Sequence, residues 1–125
     1  MKSGNLVQEK SFAFALKIVQ LYKFLIKQNE FVLSKQVLRS GTSIAANVEE
    51  ALGSHSRKEF HAKMSVVYKE ARETLFWLKL LSESKFLTDD QKIVMIRDCE
   101  QLVRIAGSIQ KTLKATIDKS LIRNP

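Results

Sequence analysis

Few residues in this 125-residue chain combine the types and spacing that chemistry needs. Its two histidines, His55 and His61, lie six positions apart across a loop-to-helix boundary, which does not place them on one helical face. A di-iron bundle would need inward glutamates with Glu-x-x-His pairs, and the sequence has no such pair. The one cysteine, Cys99, excludes an intrachain disulfide framework and a multi-cysteine zinc site. It sits on an apolar seam, where a thiol acts as a small buried hydrophobe rather than a nucleophile. Glu49-Glu50 and Asp89-Asp90 are sequence neighbours, so their carboxylates project in different directions from a helix or a helix start. A P-loop, a dinucleotide fingerprint and a serine elbow are all missing. The chain is therefore expected not to be an enzyme, and to need no cofactor and no metal.

The elements that carry these residues read as helices. With 45% hydrophobic and 27% charged residues the composition is globular, and the length suits one domain, residues 1–125, with a single core. Four glycines and one proline, Pro125, give too little turn punctuation for a many-stranded β fold. The pattern predicts helices at about 10–28, 34–52, 56–84 and 89–119. In the first, Phe12, Phe14, Ala15, Ile18, Val19, Leu21, Tyr22, Leu25 and Ile26 cover about half the circumference, with Ala13, Leu16 and Phe24 on the more polar side. In the second, Val37, Gly41, Ile44, Val48 and Ala51 recur at four-three spacing, and Ser40 to Ala46 make its middle thin enough for a close neighbour. The third has the cleanest seam, Phe60, Met64, Val67, Ala71, Thr74, Leu78 and Leu81; the fourth has Met95, Cys99, Leu102, Ala106, Ile109 and Leu113. Ser56 with Glu59 and Thr88 with Gln91 match capping boxes for the third and fourth helices.

Short connections favour antiparallel neighbours, so the expected architecture is an all-α, up-down-up-down antiparallel four-helix bundle with both termini at one end. Phe76 and Trp77 cannot both face its interior while Phe60, Val67, Leu78 and Leu81 do so. With Val66 and Leu80 they would form an exposed apolar patch, and Val66, Phe76, Trp77 and Leu80 are the candidate oligomer interface.

Charge is distributed unevenly. Lys and Arg total 21 against 13 Asp and Glu, a net +8. Residues 1–27 and 104–125 each hold five basic and one acidic residue, while 28–103 holds eleven of each and is neutral. The excess therefore lies at the two ends of the chain, where it either attracts phosphate backbones or keeps the protein soluble. Arg97, Arg104 and Lys111 recur every seven residues on the polar side of the fourth helix. Together with Lys10 and Lys17 they are the candidate phosphate contacts. No apolar run approaches the roughly eighteen residues of a membrane span. The apolar patch after Met1-Lys2-Ser3-Gly4-Asn5 is broken by Lys17, which argues against a signal peptide and for a cytoplasmic protein with no membrane partner.

The stretch Gln36-Val-Leu-Arg39-Ser-Gly-Thr-Ser43-Ile44-Ala-Ala-Asn47-Val-Glu-Glu50-Ala resembles the second helix of the four helix bundle protein family. These proteins were first noticed as reading frames within intervening sequences of bacterial 23S rRNA genes. Val48 stands where the family pattern has Ile, and Ala51 where it has a final Gly, whose turn would pass to Gly53. Lys58-x-Phe60 and Lys69-Glu-Ala-Arg-Glu-Thr-Leu-Phe76-Trp77-Leu-Lys-Leu-Leu81 resemble the family's third helix. The resemblance, over about residues 10–115, implies a bundle that assembles as a ring-like homopentamer and brings no catalytic activity. A related group, the accessory variability proteins of diversity-generating retroelements, forms similar basic pentamers that bind nucleic acid and a reverse transcriptase. Arg39, Asn47 and Glu50 match polar positions of the family motif. They read either as helix-end hydrogen bonds and ion pairs or as polar contacts with RNA or a partner.

The resulting expectation is a non-enzymatic oligomer that binds nucleic acid, structured RNA over DNA, by electrostatic contact. Base-stacking aromatics are not evident on the basic rows, which disfavours sequence-specific reading of single strands. The competing expectation is a scaffold module in which Phe76 and Trp77 dock another protein and the charge serves solubility.

Overall fold

A computed structural model describes residues 2–123 and, within its helices, the side-chain surroundings of residues 6–119. The chain forms four helices, α1 (Lys2–Lys27), α2 (Leu33–Leu52), α3 (Arg57–Glu83) and α4 (Asp89–Arg123), and no strand among the described residues. α1 starts at Lys2 rather than near residue 10, because Val7 and Ser11, each 1% exposed, carry its buried face toward the N-terminus. α4 continues to Arg123 rather than stopping near 119. No helix of the described chain is long and apolar enough to cross a membrane.

Local chemistry fixes the helix ends. Thr88 and Gln91 make both bonds of a capping box, Gln91 N–H to Thr88 Oγ1 at 3.1 Å and Thr88 N–H to Gln91 Oε1 at 2.9 Å. Ser56 Oγ accepts from Glu59 N–H at 3.0 Å, but Glu59 reaches back to the N–H of His55, not of Ser56, at 3.3 Å. α2 has no side-chain cap on Val32, the residue before it. Glu30 does that work instead: it accepts from the backbone N–H groups of Val32 (3.2 Å), Leu33 (2.9 Å) and Ser34 (2.5 Å). Burial opposes ionisation of Glu30, yet these three donors outweigh it and hold its carboxyl below the ordinary value. α1 and α3 end alike, in a left-handed residue (Asn29, φ 62°; Lys85, φ 64°) followed by an N–H that bonds back five residues, Glu30 to Leu25 and Phe86 to Leu81, each at 3.0 Å. Gly53 closes α2 at φ −89°, so its turn does not use glycine's left-handed freedom.

One core lies among the four helices. The α2 seam is buried along its whole length, as are Met64, Val67, Ala71, Thr74, Leu78 and Leu81 of α3 and Met95, Cys99, Leu102 and Ala106 of α4. α1 adds Val7, Phe14, Ile18, Leu21 and Leu25. Phe12, placed on the apolar arc by the sequence pattern, is 60% exposed. Its position is about 120° around the helix from Ile18, at the very edge of that arc. α2 packs against α1 and α3, α3 against α4, and α4 meets α1 along the thinnest seam of the four; among the described residues the diagonal pairs bring no Cα atoms within 8 Å. Gly41 explains how α2 approaches α1. A Cβ there would lie 2.7 Å from Cγ1 of Ile18, a side chain with no solvent exposure. Across the α2–α3 seam Thr74 Oγ1 and Ser40 Oγ, both buried, share a hydrogen bond at 2.9 Å.

Candidate functional site

The five candidate phosphate contacts stand on α1 and α4, the helices that carry the basic ends of the chain. They are not equivalent. Lys17 pairs with Asp98 Oδ2 at 2.6 Å, and Arg97 Nε meets the other oxygen, Oδ1, at 3.2 Å. Burial opposes ionisation of Asp98, but hydrogen bonds and charge from Lys17 and Arg97 prevail and hold its carboxyl below the ordinary value. Lys10 Nζ donates to Gln101 Oε1 at 3.4 Å. Arg104 and Lys111 are exposed, and neither makes an ion pair among the described residues. The geometry thus divides the row: one carboxylate partly neutralises its α1 edge, while Arg104 and Lys111 stand open. Beyond Ala106 no described residue of α4 is buried, and exposed Lys114 and Lys119 continue the basic character past Lys111.

The polar motif residues find partners within the chain. Arg39 of α2 pairs with Glu70 (3.4 Å) and with Glu73 of α3, and Glu73 also accepts from Trp77 Nε1 at 2.9 Å. Asn47 Nδ2 donates to the Ser43 carbonyl one turn earlier at 2.8 Å. Glu50 pairs with Lys63 of α3 at 3.3 Å, whereas adjacent Glu49 accepts from Gln8 of α1 at 2.8 Å. All three motif residues therefore tie α2 to itself or to α3 in this geometry.

Among the described residues apolar side chains stay uncovered on several elements, Phe12 on α1 and Phe31 and Val32 ahead of α2 included, and two groups of them stand out. On α3, Phe76 is 57% exposed, Val66 38% and Leu80 36%. Trp77 differs from them: it is half-buried against the core, its ring meeting Phe76 edge-on with centroids 5.0 Å apart. The second surface is a groove of about 620 Å³ between α1 and α4, whose apolar lining is Leu16, Leu21, Val94 and Met95. Lys17, Gln20, Asp90 and Gln91 complete its wall. Exposed Leu16 rims it, and Ile93, 62% exposed, is on the same turn of α4 as Asp90 and Val94.

The residues weighed for catalysis are scattered. Cys99 is buried, and burial pushes its thiol up to about 12, far from a reactive thiolate at neutral pH. Its Sγ lies 3.4 Å from the carbonyl of Ala71, to which it donates. Among the described residues no three His, Cys, Asp or Glu side chains gather as a metal ion would require. Sequence reasoning missed Asp98 and Glu30. The charge sign of Asp98 beside Arg97 was visible, but its second partner, Lys17, is 81 positions away and is revealed only by α1–α4 packing. Glu30 escaped because a capping search looks for Ser, Thr, Asp or Asn directly before a helix.

The 23S rRNA-intervening sequence protein family model matches residues 4–108, and so ends before Lys111. No curated protein matches the chain. Among solved structures, a protein of unknown function from the S23 ribosomal protein family of Bacteroides thetaiotaomicron VPI-5482, determined by crystallography at 1.70 Å, is 45% identical. The likeness covers 87% of this chain and 98% of that one, with a TM-score of 0.84. On the family match over most of its length, supported by this structural likeness, the chain belongs to the 23S rRNA-intervening sequence protein family.

Proposed function

We propose that this protein is a non-enzymatic, cytoplasmic, up-down-up-down antiparallel four-helix bundle that assembles into a ring-like homopentamer and binds structured RNA through its phosphates. The observation that carries the RNA reading is the charge: the chain's excess is confined to its two ends, and there Arg104 and Lys111 face solvent unpaired among the described residues. The antiparallel arrangement draws support from side-chain pairings that descend along one helix as they rise along the next, Ser40 with Thr74 but Glu50 with Lys63. The uncovered apolar surfaces support assembly. A ring would multiply the +8 of each chain fivefold, and phosphate contacts gain from such summed charge. Membership in a family named for intervening sequences of 23S rRNA makes a structured RNA the first ligand to test against duplex DNA. Arg104 and Lys111 carry most of the attraction in this reading, and Lys17 and Arg97 contribute when a phosphate draws them from Asp98.

A second reading has an observation of its own. Phe76, more than half exposed on a helix with a fully formed core face, suits a scaffold module that docks another protein. Charge reversal at Arg97, Arg104 and Lys111 together separates the two. Under the RNA reading it abolishes binding of a structured RNA while the assembled mass stays that of the wild type. Undiminished RNA binding by the variant would overturn that reading and turn attention to the α3 surface.

A further inference from the structure

We infer that the α1–α4 seam holds a seat for a phosphate monoester, the group that can end an RNA chain, and that Asp98 is the built-in competitor which that phosphate displaces from Lys17. This rests on the RNA reading above and names the part of the RNA that the seam would take. A second, smaller cavity lies on the seam, of about 180 Å³, walled by Lys10, Phe14 and Lys17 of α1 and by Asp98, Gln101 and Leu102 of α4. It is polar and roomy enough for a tetrahedral oxyanion with water beside it. Buried Phe14 and Leu102 give it an apolar backing, against which charges attract more strongly than in open water. Lys10 and Lys17 are two turns apart on one face of α1, so both ammonium groups border the same space. Lys10 Nζ has only the neutral Gln101 Oε1, at 3.4 Å, and makes no ion pair among the described residues. The Gln101 amide also brings an Nε2 donor to the wall.

The carboxylate in this wall argues for a strongly charged ligand. Asp98 Oδ2 already holds Lys17 at 2.6 Å, so a weaker acceptor than a carboxylate would not take its place. Arg97, which does not line the cavity, meets the other oxygen at 3.2 Å and neutralises Asp98 while it remains there. Lys10 and Lys17 are then left as two positive charges for the ligand. A phosphate monoester matches them, with a charge of about −1.5 to −2 at pH 7 and three acceptor oxygens. An internal phosphodiester carries a single charge, and its strand must leave on both sides. The seat also adjoins the open part of the basic row. Arg104 stands one turn beyond Gln101 on α4 and Lys111 two turns beyond Arg104, so an RNA end held here would lead its next phosphates toward both.

Fluorescence anisotropy tests this with one hairpin RNA, labelled in its loop, carrying a 5′-terminal phosphate, a 3′-terminal phosphate or hydroxyls at both ends. The proteins are the wild type, Lys10→Gln, Lys17→Gln and Asp98→Asn, each checked for the wild-type helical signal in circular dichroism. Should Lys17→Gln lose that signal, Lys10→Gln serves alone. The wild type is expected to bind one of the phosphorylated hairpins about tenfold or more tightly than the unphosphorylated one, the worth of a hydrogen bond to a charged group. The preference disappears in the lysine variants. Asp98→Asn binds the phosphorylated hairpin severalfold more tightly than the wild type does. Equal affinity of the wild type for all three hairpins, or a preference that the lysine variants keep, would overturn the seat and leave the RNA reading standing. Weaker binding by Asp98→Asn would overturn the role of Asp98 as competitor. Should no hairpin bind, the RNA reading falls, and calorimetry with inorganic phosphate decides the seat by itself. Binding to the wild type that Lys17→Gln or Lys10→Gln abolishes would retain the seat for a free phosphate, and no binding would overturn it.

Discussion

Glu30 shows how one side chain outside a helix can set where that helix starts. Its carboxylate takes three N–H groups that α2 leaves unbonded at its first turn, and it does so while buried. Because these bonds favour the ionised form, the folded-state pKa lies below the unfolded value of about 4.3. The stabilisation is thus complete above that value and is lost as pH falls through the folded-state pKa. Glu30→Gln is expected to cost about 1 kcal/mol at pH 7, the scale of a lost cap. In urea titrations at a series of pH values, the gap between wild type and variant should narrow in acid; a gap independent of pH would contradict this account. Asp98 works at the same scale with a different consequence. By holding Lys17 and Arg97 it splits a basic row that appears uniform in the sequence. The individual charges were legible there, but their pairing depends on which residues of α1 face which residues of α4.

At the scale of elements, periodicity made the core legible. Every α2 seam residue read from four-three spacing is buried, and Gly41 among them marks where α1 comes closest. Replacing Gly41 by Ala adds up to about 1 kcal/mol of helix propensity. The new Cβ, however, would lie 2.7 Å from a fully buried Ile18, and overpacking of this kind costs about 1–3 kcal/mol. Gly41→Ala should therefore lower stability by about 1 kcal/mol, seen as an earlier midpoint in chemical denaturation; a later midpoint would mean that the two helices have room to part. Helix ends were less legible than seams. α1 extends to Lys2 because packing of Val7, rather than any local start signal, sustains it. The turn after α3 uses Lys85 at positive φ, a conformation for which the residue type gives no hint. Trp77 and Phe76 illustrate a limit of the helical wheel. They are adjacent, yet the indole turns half inward to Glu73 while the phenyl ring remains outside.

At the scale of the molecule, the proposed function gives charge and uncovered apolar surface different jobs. The basic ends of the chain lie on α1 and the later part of α4, whereas exposed Phe76 is on α3, so the proposed RNA binding and the proposed assembly should be separable by mutation. Composition made the +8 legible at once, but its placement on meeting helices required the fold. The groove between α1 and α4 was not legible, because it exists only where two helices far apart in sequence meet along a thin seam. The central claim is that this charge binds structured RNA, and a fluorescence anisotropy titration of the wild-type protein tests it most directly. A structured RNA and a matched DNA duplex would each be titrated across a salt series. The account predicts tighter binding of the RNA that persists near physiological salt, with log affinity falling linearly against log salt by about 0.9 per phosphate neutralised on a duplex. Affinity that vanishes by that salt and is the same for both nucleic acids would contradict it, and the charge would then serve solubility.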